Sequence, residues 1–130
     1  MKHDRLVLLA HGSSDPLWQR PFIALTAAVA ARLGAGRVRL AYMELCSPTL
    51  MEVAGEALRD SQLSLLVLPL FLAAGAHLSR DIPAQVNAAT VRFPPLRIKL
   101  LPAIGEDPRV STLFQQIACE QDLASDNVCG

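Results

Sequence analysis

The stretch Arg5-Leu6-Val7-Leu8-Leu9-Ala10-His11-Gly12-Ser13-Ser14 decides the fold. Leu6 to Ala10 are all aliphatic, the pattern of a strand covered on both faces, as in a parallel sheet. The polar, glycine-bearing loop that follows marks its end. The same pattern recurs at Leu65-Leu66-Val67-Leu68-Pro69-Leu70-Phe71-Leu72-Ala73-Ala74-Gly75-Ala76-His77-Leu78-Ser79. Outward from these two runs, strands are expected at about Arg5–Ala10, Arg37–Met43, Ser64–Pro69 and Leu96–Leu101. The second alternates polar and apolar residues and is expected at a sheet edge.

Helical patterns separate the runs. The first covers about Arg20–Leu33, with Phe22, Leu25, Val29 and Leu33 as its apolar stripe and Gly34 and Gly36 ending it. The second starts at Ser47-Pro48, a cap followed by a proline suited to the first turn, with Leu50, Met51, Ala54 and Leu58 inward. The third starts between Ser79 and Pro83 and runs to about Phe93. The fourth starts at Asp107-Pro108 and is expected to bury Val110, Phe114 and Ile117. Strands alternating with helices through short connections imply βαβ units. The expected fold class is α/β: a flavodoxin-like three-layer lobe, with a four-stranded parallel sheet of order 2-1-3-4 and helices on both faces. In that order the first and third strands meet at a topological switch point, where a crevice opens at their carboxyl ends. His11 and His77 leave those two strands, and Glu44 ends the run from Val38 to Met43. His3 is expected in solvent.

The 130 residues suit one domain, expected over residues 1–120 with a loose tail over 121–130. A 52% hydrophobic content excludes a disordered chain, and its low aromatic share makes the core aliphatic. Net charge is zero, against a nucleic-acid partner held by bulk charge. Neither a signal peptide nor a membrane span is read, so no membrane partner is expected. The cysteines, Cys46, Cys119 and Cys129, are odd in number and lack CxxC spacing, which suits a reduced, cytoplasmic protein. Cys119 reads as a small hydrophobe on a helix face.

Two imidazoles and a carboxylate at three strand ends suit a divalent first-row metal, since nitrogen and oxygen donors are both acceptable to it. Three protein ligands leave coordination positions open, as a catalytic or transferring site requires. The competing reading makes each histidine a polar loop residue, with Gly12 and Gly75 supplying turns of positive φ. His11-Gly12-Ser13-Ser14 could alternatively offer backbone N–H groups to an anion. No Walker loop, GxGxxG or GxSxG is present, so neither a nucleotide nor a serine nucleophile is expected. His-Gly after the first strand is similar to the histidine phosphatases, but Ala10 stands where their phosphate-clamping arginine would be. Phosphoryl transfer is therefore a distant alternative.

Three segments together resemble the small CbiX-type sirohydrochlorin chelatases. They are Leu9-Ala10-His11-Gly12-Ser13 with Asp15-Pro16; Ala41-Tyr42-Met43-Glu44-Leu45 with Ser47-Pro48; and Pro69-Leu70-Phe71-Leu72 with Gly75-Ala76-His77 and Asp81-Ile82-Pro83. The resemblance implies a class II chelatase fold and insertion of a divalent metal, cobalt first and iron or nickel next, into sirohydrochlorin without ATP. It places the metal on His11 and His77, with Glu44 completing the site. Larger members carry two lobes, so a single lobe implies a homodimer whose cleft takes the macrocycle. The histidine-rich tract and cysteine cluster of some longer members are missing here, so metal storage and iron–sulfur roles do not carry over.

For insertion, His11 and His77 would hold the metal or accept the pyrrole protons, since imidazole does either near neutrality. Glu44 would add an oxygen ligand or a proton relay. Sirohydrochlorin is a polycarboxylate, so Arg20 and Arg80 are candidate cationic partners, and the helix start following Ser13 is another. Leu70 and Phe71 either cover the flat ring or lie in the core. A carrier of metal or tetrapyrrole, binding without turnover, is the non-catalytic alternative.

Overall fold

The computed structural model describes residues 3–122, with the side chains at 121 and 122 left aside. Its strands are β1 (Arg5–Ala10), β2 (Val38–Tyr42), β3 (Ser64–Pro69) and β4 (Arg97–Leu100), and its helices α1 (Pro16–Leu33), α2 (Leu50–Arg59), α3 (Ala76–Arg92) and α4 (Pro108–Asp122). They form one sheet of order β2-β1-β3-β4, parallel throughout, as expected. β1 is central: Leu8 pairs with Leu40 on one side and with Leu68 on the other.

Successive side chains of a strand point to opposite faces. Val7 and Leu9 of β1 therefore join Ala41, Leu65 and Val67 in a core closed by Leu50, Val53, Ala54 and Ala57 of α2 and Ile82 and Ala89 of α3. Leu8 and Ala10 join Val38, Leu40 and Tyr42 on the opposite face, against Trp18, Phe22, Val29 and Ala30 of α1. Full burial of each such aliphatic side chain contributes about 1.5–3 kcal/mol.

The helix starts depart from the sequence-based expectation, each for a local reason. α1 begins at Pro16, because Asp15 accepts from the Leu17 N–H and Pro16 fits the first turn. α2 is capped by Thr49, not Ser47: Thr49 and Glu52 form a reciprocal capping box, and the Ser47–Pro48 peptide is cis, outside the helix. α3 begins at Ala76 and includes Pro83, so His77 lies in its first turn instead of a loop. α4 begins at Asp107-Pro108 as expected, but Phe114 and Ile117 are 49% and 48% exposed and Val110 is only partly buried. The expected burial of that stripe is not met among the described residues. On α1, Leu25 and Leu33 of the expected stripe also remain exposed. α4 continues to Asp122, so residues 121 and 122 of the expected tail are helical, and the rest of the tail lies outside the described residues. Cys119 is disulfide-bonded, in contrast to the expected reduced thiol.

At the amino ends of the strands, Arg5 is 5% exposed and ties the sheet to α2. Its Nη1 donates to Glu56 at 2.6 Å and its Nη2 to Asp60 at 3.0 Å, while Arg39 Nε reaches Glu56 at 3.1 Å. Partial burial pushes the Glu56 carboxyl up, but hydrogen bonds from Arg39 and Arg5 outweigh it and hold the group below the ordinary carboxylate value.

Candidate functional site

The site lies at the carboxyl ends of β1, β2 and β3. Beyond the strands, the Met43 N–H donates to Ala10 O at 2.9 Å and the Glu44 N–H to His11 O at 3.1 Å. Strand-like pairing therefore continues one residue past β1 and two past β2 and sets His11 beside Glu44. Gly12 makes this possible. Its φ is 111°, and a Cβ there would overlap the Glu44 carbonyl oxygen. His11 Nε2 lies 3.5 Å from Glu44 Oε1, with the side chains 47% and 59% exposed. The Phe71 ring, two residues past the end of β3, meets the His11 ring edge-on with centroids 6.4 Å apart.

α3 carries a second pair. His77 Nε2 lies 2.8 Å from Asp81 Oδ2, one helical turn along, and the His77 side chain is 83% exposed. Because α3 starts where the chain leaves β3, this pair lies at the same end of the sheet as His11. The Gln85 side chain, one turn further, donates to Met43 O at 3.2 Å and ties α3 to the segment bearing Glu44. Among the described residues, no three His, Cys, Asp or Glu side chains gather into a metal cage. The candidate residues therefore form two pairs, His11 with Glu44 and His77 with Asp81. Asp81 was not among the candidates read from sequence. Its i,i+4 spacing from His77 is the signal that finds it, once residue 77 is known to be helical.

The other candidates are placed as follows. The Ser13 hydroxyl accepts from the Asp15 N–H at 3.1 Å, and the Ser13 carbonyl accepts from Gln19 at 2.8 Å, so this residue shapes the start of α1. Arg20 and Arg80 are exposed and form no salt bridge among the described residues. Leu70 packs partly buried against the α1-side core, while Phe71 packs partly against the other core and partly on His11. Gly75 has φ −68° and needs no left-handed backbone; it precedes α3. Tyr42, 3% exposed, stays neutral: burial, and secondarily the neighbouring Cys46, raise its phenol above the ordinary value. Cys46 is a free cysteine. Cavities of about 400 Å³ between α1 and β2 and of about 620 Å³ beside the start of α4 are lined by neither histidine nor by Glu44. The two pairs stand on an open rim.

A parallel α/β lobe that presents exposed imidazole–carboxylate pairs at its topological switch point belongs to the class of ligand-handling α/β folds whose chemistry sits outside the strand ends. The chain belongs to the CbiX family, whose profile matches residues 5–121. It is 37% identical over 83 residues to the sirohydrochlorin cobaltochelatase of Methanopyrus kandleri, a match covering 63% of this chain and 57% of that one. It is 28% identical over 111 residues to the sirohydrochlorin cobaltochelatase of Sulfurisphaera tokodaii, covering 85% and 88%. The match thus spans little more than half of the Methanopyrus protein and most of the Sulfurisphaera one. Among solved structures, the CbiX protein from Marinobacter aquaeolei VT8 is similar with a TM-score of 0.83 and 33% identity, over 90% of this chain and 95% of that one. SirB from Bacillus subtilis with Fe3+ is similar with a TM-score of 0.80 at 22% identity, over 94% of this chain and 48% of that one, which shows the shared fold.

Proposed function

We propose that this chain is a sirohydrochlorin chelatase: it inserts a divalent metal ion, taken as substrate, into the macrocycle without a nucleotide. The observation that carries the reading is the His11–Glu44 pair, held at 3.5 Å by backbone pairing yet open to solvent. An exposed imidazole and carboxylate offer a nitrogen and an oxygen donor to a first-row metal and leave its remaining positions for the macrocycle. His77, oriented by Asp81 on the same rim, supplies the second imidazole, either as a further ligand or as acceptor of a pyrrole proton. The sequence relatives support the substrate and leave the choice among cobalt, iron and nickel open; cobalt is the first candidate.

The same proposal assigns the remaining roles. Arg20 and Arg80, which form no salt bridge among the described residues, bind substrate carboxylates, the turn at Ser13 contributes the start of α1, and Phe71 lies against the ring, with Leu70 supporting it from the core. A flat macrocycle on one open rim would keep most of its surface in water, whereas ligand sites bury most of a ligand. A homodimer facing two rims across one cleft removes that mismatch. A cytoplasmic location completes the reading; no helix among the described residues is long and apolar enough to cross a membrane.

The deciding experiment is steady-state insertion into sirohydrochlorin with Co2+, Fe2+ and Ni2+ in turn, against the spontaneous rate. Catalysed insertion with at least one metal is expected. Spectral evidence of binding with no rate above background for any metal would replace the chelatase by the non-catalytic carrier.

A further inference from the structure

Leu45 stands in a backbone conformation that its side chain disfavours. Its φ is 70°, in the left-handed region, where the Cβ of an L-residue crowds the following carbonyl oxygen. Among the described residues only Ser61, with φ 59°, shares that region without being glycine; Gly12 and Gly34 take the other positive values, 111° and 110°. A glycine at position 45 would make the same turn without the crowding. Packing among the described residues does not offset the strain, because Leu45 is 68% exposed and joins neither hydrophobic core. The chain is pinned on both sides of it. The Glu44 N–H donates to His11 O at 3.1 Å and the Glu44 carbonyl packs on Gly12, while Cys46 lies partly buried against the α1-side core. These contacts hold Leu45 where it is despite the strain.

Two further leucines share this rim. Leu17, in the first turn of α1, is 68% exposed, and Leu72, beyond β3, is 63% exposed. With Leu45 they are the three most exposed leucines among the described residues. They follow β1, β3 and β2, the three strands whose carboxyl ends bound the site. Their backbones are held as well. The Leu17 N–H donates to Asp15 Oδ1 at 2.9 Å, and a Cβ at Gly105 would overlap the Leu72 carbonyl oxygen. A single exposed leucine needs no explanation. One on each of three loops around the His11–Glu44 pair, with one of them strained, does.

We propose that Leu45 is a specificity-determining residue of the chelatase site: it seats the flat apolar face of the tetrapyrrole beside the His11–Glu44 pair, and Leu17 and Leu72 extend that apolar surface onto the neighbouring loops. The inference rests on the chelatase reading and adds to it the surface that selects the ring. A polycarboxylate macrocycle carries its charge at the edge and an apolar face around its central nitrogens. Metal donors must approach those nitrogens, so the residue next to Glu44 meets the face and not the charged edge. A hydrated metal ion alone would require no apolar surface beside its donors. A leucine fixed in place before the ring arrives also loses little freedom on binding, which favours affinity.

Leu45→Asn tests the proposal, because asparagine tolerates the left-handed region and removes the apolar contact. Its Tm is expected to equal or exceed that of the wild-type chain. Absorbance titration with metal-free sirohydrochlorin is expected to show binding weakened by about 5- to 30-fold, as burial of most of a leucine is lost. In metal insertion KM is expected to rise by a similar factor, with a smaller change in kcat. Affinity for Co2+ alone should stay within about twofold, since His11 and Glu44 remain, and Leu45→Met, which keeps an apolar side chain, should bind the ring within about threefold of wild type. A fall in Tm of more than about 4 °C would give Leu45 a structural role. An equal loss of Co2+ affinity would place the effect on Glu44, and a changed oligomeric state in light scattering would assign Leu45 to a contact between copies. Each of these overturns the proposal, as does unchanged ring binding. If the wild-type chain binds the ring but inserts no metal, weaker ring binding by the asparagine variant upholds the apolar surface and only the chelatase reading fails. An active chain whose ring affinity and KM ignore the substitution counts against the apolar surface alone, and a wild-type chain that does not bind the ring removes both.

Discussion

Gly12 and Glu44 meet backbone to backbone: Gly12 holds a φ of 111° directly against the Glu44 carbonyl, where no side chain fits. Through this contact and the Glu44 N–H to His11 O bond of 3.1 Å, the sheet delivers an imidazole and a carboxylate to one point. The glycine is thus part of the site without donating to it.

Gly12→Ala is expected to destabilise the fold by about 1–3 kcal/mol, through strain at positive φ plus displacement of the Glu44 segment. Metal insertion should fall further than the lost stability explains, because His11 and Glu44 separate. Thermal denaturation combined with insertion rates on the fraction still folded checks both. An alanine variant of unchanged stability and rate would show that the contact positions nothing.

His11→Ala and His77→Ala remove exposed side chains, so each should change stability by no more than about 0.5 kcal/mol. Each should depress insertion by more than the roughly 10–100-fold typical of losing a partner that only orients a ligand. Asp81→Asn should fall within that 10–100-fold range if Asp81 orients His77, and Glu44→Gln should be milder than either histidine variant. Steady-state insertion above the uncatalysed background is the readout. Two folded histidine variants at wild-type rates would remove both imidazoles from the mechanism.

The Arg5–Glu56–Arg39 cluster makes stability depend on pH in a defined direction. The folded-state Glu56 carboxyl lies below its ordinary value, so the unfolded chain binds the proton more readily. Its contribution is present above the unfolded carboxylate range, near pH 4.3 to about 4.5, and is lost as pH falls through the lower folded value. Glu56→Gln should cost about 1–3 kcal/mol at neutral pH, by weakening the contacts of the 5% exposed Arg5, and should flatten the acid limb. Urea denaturation midpoints from pH 7 to pH 3 measure this; parallel profiles for both proteins would contradict it.

Thr49→Ala breaks the reciprocal cap with Glu52 at the start of α2. The expected cost is about 1 kcal/mol, or roughly 3–6 °C in Tm for a lobe of this size, with insertion unchanged. Ser47→Ala should cost less, because Ser47 lies outside the helix and only touches Glu52 at 3.2 Å. Differential scanning calorimetry on the two variants separates them, and a larger drop for Ser47→Ala would reassign the cap.

The strands and their order were legible because a run such as Leu6 to Ala10 has only one stable use, a strand buried on both faces, and chain connectivity then leaves few topologies. That His11 and Glu44 emerge at the same end of the sheet was legible for the same reason, since residues that follow buried parallel strands leave at their carboxyl ends. Caps were legible in principle but misplaced: Asp15-Pro16 carries the same signal that located Asp107-Pro108, and Thr49 with Glu52 has capping-box spacing, whereas Ser47-Pro48 shows the cap-plus-proline pattern outside the helix. Only the tertiary structure decided that Gly12 must pack on Glu44, that His77 is helical and pairs with Asp81, and that Phe114 and Ile117 of α4 stay about half exposed among the described residues. Periodicity shows that a helix has an apolar face and says nothing of which surface meets it. Local signals reach one or two turns along the chain. Contacts between distant residues depend on how strands pair and where each connecting turn aims the next element.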